Sequence, residues 1–282
     1  MADTTRQKTV VIADYDYGDV DIERAIIEAA GLRLITAQCK SEDDVIAAAR
    51  DADAIIAQYA TVGARAISAL TRCEVIARYG TGTDIVDVDA ATQHGILVTN
   101  VPNDWCENEV ADHAMALLLA AARKIIRYDQ ATRAGVWRWQ TGEPIHRLSG
   151  GTLGLLSFGA IAQAIGRRAA GFGLRVIVSD QALFKALSQG WIAGAGLDDI
   201  EEEPAKLRDW TPANPLFGLD NVIITPHAAY YSEEAIRTVR DFAASEVVRV
   251  LTGQPPLSAV NGVQVASARR AADSRLTAGA PT

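Results

Sequence analysis

Residues 151–180, GTLGLLSFGAIAQAIGRRAAGFGLRVIVSD, leave this chain few folds to choose from. A short apolar run, Thr152–Leu156, leads into Ser157-Phe158-Gly159-Ala160-Ile161-Ala162. A helical stretch rich in Ala and Gly follows, and a second apolar run, Leu174–Ser179, ends on Asp180. Strand, tight turn, helix, strand and acid, in that order, build a βαβ unit of the dinucleotide-binding kind. The turn reads S-x-G-x-x-A where G-x-G-x-x-G/A is usual: Ala162 is an accepted variant, and Ser157 departs at the place that makes the tight turn. Gly159 lets the backbone approach a pyrophosphate whose charge the first helical turn, at Ala160 and Ile161, can hold. Asp180, about twenty residues further on, is placed to accept from adenosine ribose hydroxyls, which favours NAD over NADP.

Upstream, the first hundred residues repeat one rhythm. Apolar runs at Thr9–Ala13, Leu32–Ala37, Ala54–Ala57, Glu74–Ala77 and Ile96–Thr99 alternate with helical patterns at Ile22–Ala30, Asp43–Ala49, Ala64–Leu70 and Val86–Gln93. Such alternation predicts a parallel sheet covered on both faces. Two of its loops stand out. Arg78-Tyr79-Gly80-Thr81-Gly82-Thr83-Asp84 follows the fourth strand, and its glycines can expose N–H groups that hold a small carboxylate; a plain strand-to-helix turn is the alternative. Asn100-Val101-Pro102-Asn103 follows the fifth, where Pro102 redirects the chain.

The composition is that of a globular protein: 282 residues, 49% hydrophobic and 22% charged, enough for two domains. The formal charge of −8, with no basic cluster, argues against a nucleic-acid partner. Three sparse cysteines, Cys39, Cys73 and Cys106, give neither a disulfide framework nor metal-ligand spacing, so no metal is expected. The N-terminus lacks an apolar signal region and no apolar run has membrane length, which points to a cytoplasmic protein without a membrane partner.

Past residue 107 the pattern predicts a long helix from about Asn108 to Arg127, apolar all round at Ala114–Ala122 and therefore buried. Trp137 and Trp139, two apart, suit an extended arm that meets either another subunit or the chain's own core. After Asp180 a helix at Gln181–Gly190 and strands at Trp191–Leu197 and Asn221–Thr225 bring the count to four strands, where a doubly wound cofactor domain has six. About two β-α units are missing, roughly 60 residues at ~30 per unit. A last helix starts after Ser232 with Ile236, Val239, Ala243, Val247 and Val250 as its buried stripe. Residues 259–282 carry no apolar period beyond their start and read as a disordered tail.

His227, at the carboxyl end of the last strand after Pro226, is the best acid/base candidate, because imidazole titrates near neutral pH. Glu203, before Pro204, is the candidate carboxylate that would keep it protonated. The bland alternatives are a solvated acidic loop and a structural histidine. His94, His113 and His146 read as structural.

Several blocks in order, RYGTGTDIVDVDAA, NVPN, EVADHAMALLLAAARK, the 151–180 unit, GWIAGAGLDDIEEEP and NPLFGLDNVIITPHAAYYSEEA, resemble the NAD-dependent D-2-hydroxyacid dehydrogenases, in the branch close to bacterial homologues of the C-terminal-binding proteins. The resemblance spans roughly residues 8–258. It implies an α/β fold in two domains: a flavodoxin-like substrate domain, 1–104 with 228–258, and an inserted, truncated Rossmann dinucleotide-binding domain, 105–227. It implies NAD as cofactor, a small 2-hydroxy or 2-oxo acid as substrate, and a homodimer through the cofactor domain. By position, His227 and Glu203 match the catalytic pair, Thr81 and Gly82 the amides that hold the substrate carboxylate, and Ser157, Gly159, Ala160, Ile161 and Asp180 the cofactor site. Tyr230 falls where that branch carries a tryptophan. The family's catalytic arginine belongs to the missing segment, and no residue from Leu183 to Lys206 is an arginine. The readings are an oxidoreductase of impaired activity, a non-catalytic corepressor-like relative, or an inactive deletion product.

Overall fold

The computed structural model describes residues 6–102, 105–155, 159–178, 194–198 and 214–264. The chain divides into two compact units, one formed by Met1–Trp105 with Ile236–Thr282 and the other by Cys106–Ala235.

In the first unit, β1 (Thr9–Ile12), α1 (Asp21–Ala29), β2 (Arg33–Thr36), α2 (Glu42–Ala49), β3 (Ala54–Ala57), α3 (Ala64–Ala69), β4 (Val75–Arg78), α4 (Val88–Gln93) and β5 (Leu97–Thr99) alternate as the apolar runs predict. The strands form one parallel sheet in the order β2-β1-β3-β4-β5, the flavodoxin-like arrangement. Because successive strand residues face opposite sides, one sheet yields two cores. Val11, Ala13, Ile55, Ala57, Ile76 and Val98 pack with Val45, Ala49, Ala66, Ile67 and Ala91 from α2, α3 and α4. On the other face Val10, Ile12, Ile56, Val75 and Leu97 pack with Ile27 of α1 and with Ala243, Ala244, Val247, Val250 and Leu251 of the last helix, α8 (Glu233–Leu251). The central strand β3, Ala-Ile-Ile-Ala, is buried at every position, which is why it reads as a continuous apolar run rather than an alternating one. Helix starts are set by side chains: Ser41 Oγ accepts from the Asp44 amide and Asp87 from the Ala90 amide.

The crevice between β1 and β3, where this sheet order reverses, is filled by the chain itself. The Asp14 carboxylate accepts from the amides of Gln58 (2.8 Å) and Tyr59 (2.6 Å), and the Gln58 side chain bonds Asp16.

The second unit holds α5 (Glu107–Ala122), α6 (Ile125–Arg133), β6 (Thr152–Leu155), α7 (Ala160–Gly171), β7 (Arg175–Val178), β8 (Ala195–Leu197) and β9 (Val222–Ile224). β6 and β7 pair in parallel, as do β8 and β9, and among the described residues the two pairs are separate sheets. α5 packs on α7, where Arg168 donates to Asp112 and Asn108, and on β8, where Gly196 lies under Leu117 and a Cβ would meet that side chain. Among the described residues no helix is long and apolar enough to cross a membrane.

Four expectations need correcting. The helix from 108 to 127 is two helices, because Lys124 adopts a left-handed conformation (φ 55°) and caps α6. Its apolar centre is not wholly buried: Ala116 is exposed, and Ala111, Met115 and Leu117 are the residues shielded by α7 and β8. Trp139 does not continue an extended arm but starts a 3-10 turn, Trp139–Gly142, and Trp137 and Trp139 are 88% and 68% exposed, so neither packs on its own core. Finally, residues 259–264 are not a loose tail: Ala259 bridges Thr99 of β5 in antiparallel fashion and Val260 N–H donates to the Val98 carbonyl.

Candidate active site

In the first unit the loop after β4 is built to present amides. Gly80 takes φ +138°, which an L side chain rarely adopts, and a Cβ there would collide with the Arg78 guanidinium. The loop's acceptors turn inward: Gly80 C=O takes the Val101 amide (3.0 Å), Thr81 C=O takes the Asn100 side-chain amide (2.7 Å), and Thr81 Oγ1 donates to the Val101 carbonyl (3.1 Å). The amides of Thr81 and Gly82 have no acceptor among the described residues. Successive unengaged N–H groups in a turn form a concave anion site.

Arg78, at the end of β4, enters the same surroundings. Its Nη1 donates to the Tyr79 carbonyl, but its buried Nε has no partner among the described residues. Burial pulls its pKa down, offset in part by the electrostatic influence of Tyr17, Tyr59, Asp14 and Asp84. A buried guanidinium nitrogen without an acceptor fits an anion that is not part of the chain. Sequence reading quotes Arg78 without giving it a role; its place at a strand's carboxyl end, two residues before the first glycine, was the available signal.

In the second unit His227 sits just beyond β9 with φ +52°, an unusual conformation for a residue with a Cβ. Asp198, at the end of β8, holds it there. Its backbone carbonyl accepts the His227 amide (2.7 Å), and its carboxylate accepts the amides of Ala228 (3.0 Å) and Ala229 (2.7 Å) and the hydroxyl of Thr225. His113 of α5 brings Nε2 to 3.0 Å from Thr225 Oγ1 and 3.6 Å from Asp198. Burial works to raise the pKa of Asp198, but Thr225, the two amides and His113 together hold it below the ordinary value. The imidazole of His227 stands edge-on to Tyr230, ring centres 5.6 Å apart. Asp198 and His113 escape sequence reading, one hidden in an acidic run and the other inside an apolar helix.

Gly159 caps α7 with extended backbone, and a Cβ built on it meets nothing within 4 Å. The first bond of α7 is Gln163 N–H to Gly159 C=O, so the amides of Ala160, Ile161 and Ala162 have no acceptor among the described residues. The turn, with a twelve-residue helix behind it, fits a pyrophosphate. Ser157, Asp180 and Glu203 lie outside the described residues. The thiols contribute no nucleophile: burial pushes Cys39 up to about 11 and Cys73 up to about 12.

A family model described as the catalytic domain of the D-isomer specific 2-hydroxyacid dehydrogenases matches residues 11–261. A glyoxylate reductase of Pyrococcus furiosus is 32% identical over 266 residues, covering 67% of this chain and 76% of the relative. One from Korarchaeum cryptofilum is 30% identical over 292 residues, covering 78% of this chain and 86% of the relative. Since 78% of 282 residues is about 220, roughly 70 positions of that 292-position alignment have no residue from this chain. Among solved structures, an acyclic imino acid reductase in complex with NADPH and D-Arg superposes with a TM-score of 0.75 at 21% identity, covering 90% of this chain and all of the other.

Proposed function

The chain belongs to the D-isomer specific 2-hydroxyacid dehydrogenase family, and from that premise we propose that it binds a small 2-oxo acid of the glyoxylate class together with NADH and reduces it slowly. The class of reaction is oxidoreduction at a CH–OH carbon with a nicotinamide cofactor. The observation that carries the substrate class is the loop after β4: two amides, at Thr81 and Gly82, and the buried Nε of Arg78 at the head of the same loop, none of them engaged among the described residues.

The roles follow from chemistry. The amides of Thr81 and Gly82, with Arg78, take the substrate carboxylate. The amides at Ala160 and Ile161, reached past Gly159, take the cofactor's pyrophosphate, while Ser157 makes the turn and Asp180 takes the ribose hydroxyls and selects NAD. When bound, the nicotinamide supplies a hydride for the carbonyl carbon. His227 gives the carbonyl oxygen its proton, and Glu203 keeps the imidazole charged for that purpose. Tyr230 beside His227 bears on which side chain the acid carries. With the glyoxylate reductases as relatives, the loop sequence is our ground for placing the chain near the C-terminal-binding-protein branch, from which Tyr230 departs.

The slow turnover rests on a gap. A doubly wound sheet in the order 3-2-1-4-5-6 that loses strands three and four keeps 2-1 and 5-6 as separate pairs. The pairs β7-β6 and β8-β9 are of that kind, and the relative's alignment has roughly 70 unmatched positions. The lost segment would hold the arginine that binds the substrate's carboxylate and carbonyl. Exposed apolar groups on α6 and after it, Ile125, Ile126, Val136, Trp137 and Trp139, support a homodimer through this unit.

The test is steady-state oxidation of NADH with glyoxylate, beside equilibrium titration of each ligand. Saturable binding of both with kcat about 100-fold or more below an intact glyoxylate reductase is expected, the size of one lost transition-state donor. Turnover equal to the intact enzyme's overturns the deletion argument, and no binding of glyoxylate overturns the site.

A further inference from the structure

The carboxylate loop is held from the far end of the chain. After α8 the backbone turns back, and the Glu246 carboxylate, 1% exposed inside α8, accepts the amides of Leu257 (3.0 and 2.9 Å) and Ser258 (3.1 Å). Arg249 steadies the same bend by donating to the Pro255 carbonyl (3.0 Å). Beyond it, Val260 and Ala259 pair with β5, and the Asn261 side chain accepts the Val98 amide (2.9 Å) and donates to the Ile96 carbonyl (3.0 Å). Residues 254–261 thus form a strap along the edge of the sheet.

The strap touches the loop through two side chains. Ser258 Oγ donates to Asn100 Oδ1 (2.8 Å), and Asn100 Nδ2 donates to the Thr81 carbonyl (2.7 Å). The Asn100 amide also donates back to the Ser258 carbonyl (3.3 Å). An Asn side chain can flip, exchanging donor and acceptor. The Thr81 carbonyl, which can only accept, tells the two ends of Asn100 apart and takes the NH2 end, while the Ser258 hydroxyl donates to Oδ1 and holds the side chain in place. The Thr81 carbonyl is then drawn inward, and the Gly82 N–H, anti to it in the same peptide plane, points outward. A peptide plane moves as one rigid piece, so fixing its carbonyl aims its amide.

We propose that Ser258 and Asn100, anchored by Glu246, are the positioning residues that aim the Gly82 amide at the substrate carboxylate, so that the C-terminal strap sets the affinity for the 2-oxo acid. The inference rests on the proposed role of Thr81 and Gly82 in carboxylate binding. Neither Ser258 nor Glu246 belongs to that loop; both act on it through Asn100. Loss of the strap's grip frees the plane to rotate and lowers affinity without removing any ligand-contacting group.

The experiment compares the full-length wild type with Ser258→Ala, Ser258→Thr and Glu246→Gln, with oxamate as the titrated probe and, as a second readout, hydrogen exchange of the Val101 amide, which donates to the loop's Gly80 carbonyl. Ser258→Ala removes one hydrogen bond, worth about 1 kcal/mol, so oxamate binds about fivefold more weakly and the Val101 amide exchanges about fivefold faster. Ser258→Thr keeps the hydroxyl and restores both, which a packing role for Ser258 alone does not explain. Glu246→Gln weakens both to the same degree or more. Exchange and affinity in Ser258→Ala equal to wild type overturn the inference. If wild type binds no oxamate, the reading of Thr81 and Gly82 fails, while the exchange comparison still decides whether the strap orders the loop.

Discussion

Arg240 of α8 is the substitution whose cost the structure fixes best. Its Nε and Nη2 each donate to the Glu23 carboxylate of α1 at 2.9 Å, and Nη2 also reaches Asp19 at 2.7 Å. Glu23 is fully buried, and its remaining donor is the Tyr79 hydroxyl at 2.9 Å. Arg240→Met keeps most of the side-chain volume and leaves a carboxylate inside the sheet–helix core with one neutral hydrogen bond. Breaking a buried pair in this way costs about 3–5 kcal/mol, a large share of a domain's usual margin of about 5–15 kcal/mol. Adding Glu23→Leu removes the stranded charge, so the double variant should regain about 2 kcal/mol, with the Tyr79 hydroxyl left as the residual cost. Native-state hydrogen exchange of the β1 and β3 amides reads the stability of this unit directly. A buried carboxylate without its cation is driven towards the protonated form, so the deficit in Arg240→Met shrinks as pH falls. A deficit below about 1 kcal/mol, or a double variant less stable than the single one, refutes the account.

Two further outcomes are expected. The folded-state pKa of Asp198 lies below its ordinary 3.8, so its contribution is complete above that value and is lost as pH falls through the folded one; exchange of the Ala228 and Ala229 amides should accelerate only below about pH 4, and Asp198→Asn should show the fast rate at neutral pH. Replacing Trp137 and Trp139 together by Ser should shift sedimentation towards monomer while leaving the β1 and β3 exchange rates unchanged; an unaltered sedimentation coefficient excludes these side chains from the interface.

The five-stranded sheet was legible because β1, β3, β4 and β5 are largely buried on both faces and therefore write continuous apolar runs, β3 most plainly, while the edge strand β2 is only half-buried. The stripe on α8 was legible for the complementary reason: Ala243, Val247 and Val250 recur at helical spacing and all three are buried. The polar groups buried beside them were not. Arg240 and Glu246 have the composition of a solvated helix face, and their burial depends on partners outside the helix, Glu23 near the start of the chain and Ser258 beyond the bend. The break at Lys124 carries no Gly or Pro to mark it, and the strap has no apolar period because its backbone and an Asn side chain make the contacts. At the site, Gly80–Gly82, Gly159 and His227 announced themselves by residue type. Asp198 did not, since an aspartate one place ahead of D-I-E-E-E looks like part of an acidic loop until its oxygens are found on the turn that carries His227.

One face of the first sheet is closed by α8, a helix that the ribosome makes well over a hundred residues after β5. Until Ala243, Val247 and Val250 emerge, Val10, Ile12 and Ile56 have only α1 to cover them, while every residue of the second unit is already outside the exit tunnel. At about 5–20 residues per second the nascent sheet spends about 7–30 s with an open apolar surface. The order of folding during synthesis therefore inverts the order of the sequence: the inserted middle can settle first, and the amino-terminal half must be kept from sticking until its lid arrives.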